Sequence, residues 1–99
     1  MIESSASVIC SQPQKILVRL MRHWAHKFAV EEGEVSCRIE LPAGPLVMAA
    51  HEDVLTLKSV CKAENAERLR EVVSDHVQRM AGKERLEIRW TQESRCDQF

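Results

Sequence analysis

Between Val35 and Cys61 the chain runs through three strand-length stretches, Val35 to Leu41, Leu46 to His51 and Val54 to Cys61, with room for little but turns between them. Pro42-Ala43-Gly44-Pro45 separates the first two and Glu52-Asp53 the second two. Connections this short join antiparallel neighbours, because a parallel crossover needs on the order of a dozen residues. In the first stretch Val35, Cys37, Ile39 and Leu41 alternate with Ser36, Arg38 and Glu40, which predicts one buried and one wet face. A three-stranded meander is expected at the centre of the chain.

The flanking segments have a different period. Ser11-Gln12-Pro13-Gln14 reads as a capping box with proline in the first turn, so a helix is predicted to begin there. Ile16, Leu17, Leu20, Met21, Trp24 and Phe28 follow on one arc about 140° wide at 100° per residue. Glu31-Glu32-Gly33 is the expected exit of this helix, with Gly33 supplying a left-handed turn. A second helix is predicted over roughly 64–81, and Leu86-Glu87-Ile88-Arg89-Trp90 alternates as a closing strand. With a short extended start over 5–10, the order becomes β-α-β-β-β-α-β. It predicts an α+β two-layer sandwich, an antiparallel-rich sheet with both helices on one face. Residues 1–92 are expected to form a single domain and 93–99 a fraying polar tail.

The totals exclude several functions. Ninety-nine residues suffice for one core but not for a barrel or a doubly wound nucleotide-binding sheet, and no Gly-rich phosphate loop occurs. A net charge of -1 supplies no global field for nucleic acid or an anionic membrane, so neither partner is expected. The start lacks the pattern of a signal peptide and no apolar run is long enough to span a bilayer, which predicts a cytoplasmic protein. Cys10, Cys37, Cys61 and Cys96 are widely spaced with no C-x-x-C pair, so zinc-finger and dithiol chemistry are set aside; Cys96 is expected to be the exposed thiol.

The first helix is chemically unusual. Lys15, Arg19, Arg22, His23, His26 and Lys27 occupy the arc left by its apolar residues, and no acid occurs between Gln12 and Val30. Such a face suits an anionic ligand or partner, although cations near the helix C-terminus also answer the macrodipole. On the second helix Glu64, Glu67, Glu71 and Asp75 share an arc of about 80° at 100° per residue, an acidic stripe that could pair with the basic face within one molecule or across a dimer. His23 and His26, three residues apart, are weak candidates for metal ligands, with His76 a third. His76 falls on the apolar arc of the second helix between Leu69 and Val72, and core packing is the default for it as for Trp24 and Trp90.

His23-Trp24-x-His26-Lys27, joined with Ser74-Asp75-His76-Val77-x-Arg79-Met80-Ala81 and Leu86-x-Ile88-x-Trp90, resembles a bacterial family known as domain of unknown function 2218. The likeness runs from about Ser5 to Thr91 in matching element order. Relatives commonly read H-W-x-H-K-F and S-H-L-x-R-F-A here; this chain has Ser-Asp-His-Val for Ser-His-Leu and Met80 for the usual Phe. The resemblance implies a small α+β protein of the bacterial cytoplasm without an established activity. Similar domains occur joined to, or encoded near, siderophore-interacting flavin-dependent ferric reductases, which implies a link to iron acquisition. An aldolase label carried by some relatives does not transfer, since the chain is too short for the barrel and shows no Schiff-base or metal-enediolate constellation.

The expected function is therefore a non-enzymatic accessory or binding domain. Arg19, Arg22, His23, Trp24, His26, Lys27 and His76 would form its ligand-binding face, without a cofactor, toward a small anion or a siderophore-related protein. A homodimer through the sheet or a helix stripe is expected. The alternative is a small metal- or histidine-dependent enzyme built around His23, His26 and His76.

Overall fold

The computed structural model describes residues 1–94. The chain forms β1 (Ile2–Ile9), α1 (Pro13–Ala25), β2 (Val30–Glu32), β3 (Ser36–Leu41), β4 (Gly44–His51), β5 (Val54–Cys61), α2 (Ala63–Ala81) and β6 (Thr91–Ser94). The strands make one sheet in the order β2-β3-β4-β5-β1-β6, and every neighbouring pair runs antiparallel. This is the expected α+β class and meander, with the short β2 added. No helix among the described residues is long and apolar enough to cross a membrane.

Register explains why both helices share one face. Residues directly opposite in an antiparallel ladder point to the same side. Cys37, Met48, Leu57 and Ala6 lie in one such row, and Ile39, Leu46, Ser59 and Ser4 in the next. All eight are buried. Onto this face α1 lays Ile16, Leu17, Leu20 and Trp24, and α2 lays Ala66, Leu69, Val73 and Val77. The opposite face carries the ion pairs Glu3–Lys58 and Arg38–Glu40.

The two helices lie side by side and antiparallel, tied along their length. Ser11 donates from its amide (3.0 Å) and its hydroxyl (2.9 Å) to the Glu84 carboxylate just beyond α2. Farther along, an Arg19 guanidinium nitrogen donates to the Met80 carbonyl at 2.8 Å, and then the rings of His23 and His76 meet. Ser11 is thus no helix cap: Gln12 takes the cap position without a side-chain bond, Pro13 holds the first turn, and Glu84 takes the hydroxyl that a capping box would use.

Three boundaries differ from expectation. α1 ends at Ala25, where the Trp24 carbonyl accepts from both Lys27 (3.0 Å) and Phe28 (2.9 Å), because Val30–Glu32 gain ladder partners in β3 and Val30 packs beside Ile39. Gly33 therefore turns β2 into β3 and is not a helix exit, and Val35, at the same turn, is exposed. The run Leu86–Trp90 alternates half-buried and exposed as predicted, yet it joins no ladder. Gln78 brackets it, donating to the Glu84 carbonyl and accepting from the Leu86 amide, and Trp90 Nε1 donates to Ser74 at 2.8 Å. The closing strand starts at Thr91 and includes Glu93 and Ser94, two residues expected in the tail; 95–99, with Cys96, lie outside the described residues.

Ser4 and Ser59 stand opposite each other in the buried face; Ser4 accepts from Arg70 at 3.0 Å, whereas the Ser59 hydroxyl has no hydrogen-bond partner among the described residues. A buried hydroxyl without a hydrogen bond costs roughly 1–3 kcal/mol, whereas deleting a core leucine side chain costs roughly 2–5 kcal/mol. Ser59→Ala is accordingly expected to leave the urea midpoint unchanged or raise it, while Leu57→Ala lowers it sharply; equilibrium denaturation of both variants checks the contrast.

Candidate functional site

Three rings meet where the C-terminal end of α1 passes the middle of α2. Trp24 is buried at the base. The His76 ring centroid lies 5.1 Å from that of Trp24 and 5.2 Å from that of His23, at interplanar angles of 37° and 49°. His23 itself stands edge-on to Trp24 at 6.3 Å. Aromatic neighbours at these separations attract one another beyond their buried area.

A backbone bond fixes the chemistry of His76. Its Nδ1 lies 2.8 Å from the Val72 carbonyl oxygen, one turn earlier on the same helix. A carbonyl only accepts, so Nδ1 carries a proton, and in the neutral form of the ring the lone pair is then on Nε2. No partner holds Nε2 among the described residues. His76 is half-buried, and its neighbour His23 is exposed.

Beyond the rings α1 has ended, but α2 continues toward its own N-terminus. The space that a longer α1 would fill is a cavity of about 440 Å³. Phe28, Leu69 and Val72 form its apolar wall with Leu41, Pro42 and Ala43 from the end of β3 and its turn. His23, Trp24 and His76 line one end, and Lys27 and Arg68 supply the charge. That volume sits in the lower part of the range of about 300–1,000 Å³ typical of small-molecule sites.

Lys27 and Arg68 are exposed, and neither makes an ion pair among the described residues. The acidic stripe does not neutralise α1: Asp75 pairs with Arg79 on its own helix at 3.2 Å, and Glu64, Glu67 and Glu71 make no ion pair to α1. Internal pairing of the stripes, one expectation above, is absent among the described residues.

The expected ligand-binding residues divide among three places. His23, Trp24, Lys27 and His76 line the cavity. Arg19 and Arg22 line a different, open recess of about 960 Å³ on the far flank of α1, with Lys15, Val35 and His51. Arg19 is not free there, because it caps one of the last carbonyls of α2, groups that lack an intrahelical partner. His26 is the C-cap of α1 and lines neither space. The three histidines thus do not converge: no group of three or more His, Cys, Asp or Glu among the described residues is placed to hold a metal ion.

Arg68 is the functional candidate that sequence reasoning missed. Arg68, Val72 and His76 fall at i, i+4 and i+8, one stripe of α2, so the histidine already pointed to the arginine. The contribution of Pro42 and Ala43 had no such signal, since it depends on where the β3–β4 turn lands in three dimensions.

The three thiols among the described residues are poorly placed to act as nucleophiles. Cys10, Cys37 and Cys61 are buried, and burial pushes each thiol up, that of Cys37 to about 11 with help from the Glu32 charge. A thiol raised in the folded state holds its proton longer than in the unfolded chain, so its share of stability is present below the ordinary value of 9.0 and lost as pH rises toward about 11. Native protein at pH 8 is expected to leave these three thiols unlabelled by iodoacetamide; its urea midpoint should fall between pH 9 and 11, and less steeply in Cys37→Ala.

Comparison with known proteins agrees with this architecture. The profile of a family described as an uncharacterized protein conserved in bacteria matches residues 5–91. Among solved structures, the NMR structure of PA4090 from Pseudomonas aeruginosa is similar with a TM-score of 0.76 and 33% identity, covering 92% of this chain and 96% of that one. No curated protein matches.

Proposed function

The chain belongs to the bacterial family of domain of unknown function 2218, and we propose that it is a non-enzymatic binding domain that holds a small amphipathic anion in the cavity between α1, α2 and the β3–β4 turn. The observation that carries this reading is the pairing of Lys27 and Arg68, two cations without ion-pair partners among the described residues, with an otherwise apolar and aromatic lining. Such a lining takes up the body of a ligand by the hydrophobic effect, and the few polar groups fix its orientation. Among the described residues no carboxylate or thiol lines the cavity, so a bound anion would meet no like charge from them.

A link to siderophore iron metabolism rests on the family resemblance. Within the present proposal the ligand is of single-ring size, because about 440 Å³ suits an acidic building block better than an intact ferric chelate. Benzoate is the minimal probe. Losing a hydrogen bond to a charged group costs about 1.5 kcal/mol or more, so Lys27→Glu/Arg68→Glu is expected to weaken benzoate at least about tenfold. Arg22→Glu, on the other recess, should leave the affinity unchanged. Heteronuclear NMR titration at low salt checks this: saturable shifts should cluster at Lys27, Phe28, Arg68 and His76 and weaken as salt is added. Shifts confined to Lys15, Arg22 and Val35 would transfer the site to the open recess, and no saturable response at millimolar benzoate would end the proposal.

A further inference from the structure

The hydrogen-bonding polarity of the cavity narrows the ligand further, in an argument that rests on the anion-binding reading above. The side chains that line it are rich in donors. Lys27 and Arg68 only donate, and Trp24 has a single N–H that only donates. The acceptors are the two histidines, and only His76 has its tautomer fixed, because the Val72 carbonyl 2.8 Å from Nδ1 obliges that nitrogen to carry the proton. His76 Nε2 is left as a lone pair on a ring held from below by Trp24 and from the side by His23.

We propose that the cavity selects an aromatic hydroxy acid, whose carboxylate is held by Lys27 and Arg68 and whose hydroxyl donates to Nε2 of His76. A carboxylate placed at Nε2 would set lone pair against lone pair, so the charged end of the ligand belongs at the two cations and a donor belongs at the imidazole. Phe28, Trp24 and the Leu41–Ala43 turn also line the cavity, and such apolar and aromatic surroundings suit the ring of the ligand. A site built to pair with a ligand hydroxyl discriminates against the analogue that lacks it, because its own polar group is then left unpaired in the complex.

The test compares benzoate with 3- and 4-hydroxybenzoate by calorimetry or NMR titration of the full chain. At least one hydroxylated isomer is expected to bind about tenfold more tightly than benzoate, the size of one well-made hydrogen bond in a partly dry site. His76→Phe keeps a ring against Trp24 but removes the acceptor, and it should bring that ratio to about one, whatever it does to the affinity for benzoate. A readout on the unmodified protein stands beside the variant. Nitrogen-15 spectra of the imidazoles should show His76 as the Nδ1–H tautomer, with Nε2 shifting on addition of the hydroxy acid and not of benzoate. Equal affinities for benzoate and both hydroxybenzoates, or an Nε2–H tautomer in the free protein, would overturn the hydroxyl preference and leave the anion cavity standing. Failure of all three acids to bind would overturn both.

Discussion

The cavity exists because α1 stops at Ala25 while α2, packed against it in the opposite direction, extends from Ala63 to Ala81. α1 has 13 residues and α2 has 19, and at about 1.5 Å per residue the difference leaves roughly two turns of α2 without a helical neighbour. Both helices must lie on the same side of the sheet, since only that side carries the apolar rows from Cys37 to Ala6 and from Ile39 to Ser4. A longer α1 would have covered Leu69 and Val72 and closed the space. The chain instead spends Val30–Glu32 on an edge strand, and the ladder to β3 satisfies backbone groups that a helix would otherwise have bonded internally.

That competition is also why the sequence shows the fold more clearly than the site. Period two across Val35–Cys61 and period three to four across Ile16–Trp24 and Leu69–Val77 specify a meander with two helices on one face, and those elements stand where the pattern puts them. The end of α1 is decided elsewhere. Phe28 continues the helical arc, so the local pattern favours more helix, and the tertiary pairing of Val30–Glu32 with β3 overrides it. The same kind of override moves the last strand: Leu86, Ile88 and Trp90 alternate like a strand but spend that alternation against α2, where Gln78 and Ser74 supply side-chain bonds in place of a ladder. Where burial alone decides, as with Trp24 and the aliphatic rows, sequence suffices; where two elements compete for the same backbone, it does not.

The charge pattern divides for a related reason. A basic stripe on a helix invites a single reading, yet its members face different neighbours once that helix is packed. Arg19 answers an orphan carbonyl of α2, Arg22 faces an open recess, and Lys27 turns toward the cavity because the helix has already ended. The acidic residues of α2 do not follow the basic ones across the seam, since the contacts between the helices are made by rings, a carbonyl and aliphatic side chains. A stripe seen on a helical wheel therefore reports which residues avoid the core, and not that they act together.

What distinguishes the cavity from the open recess is how much of it is held in place before any ligand arrives. His76 is fixed by its own helix at Val72, Trp24 is buried between helix and sheet, and the two rings limit each other's rotation. Under the proposed reading, a ligand would cost little ordering at those groups, and the loss of freedom would fall on the long side chains of Lys27 and Arg68. The open recess offers comparable charge on exposed, unsupported side chains, with Arg19 already engaged elsewhere. Charge alone would draw an anion to either place, but orienting a ligand requires groups whose positions are set in advance, and such groups gather where α1 gives out beside α2.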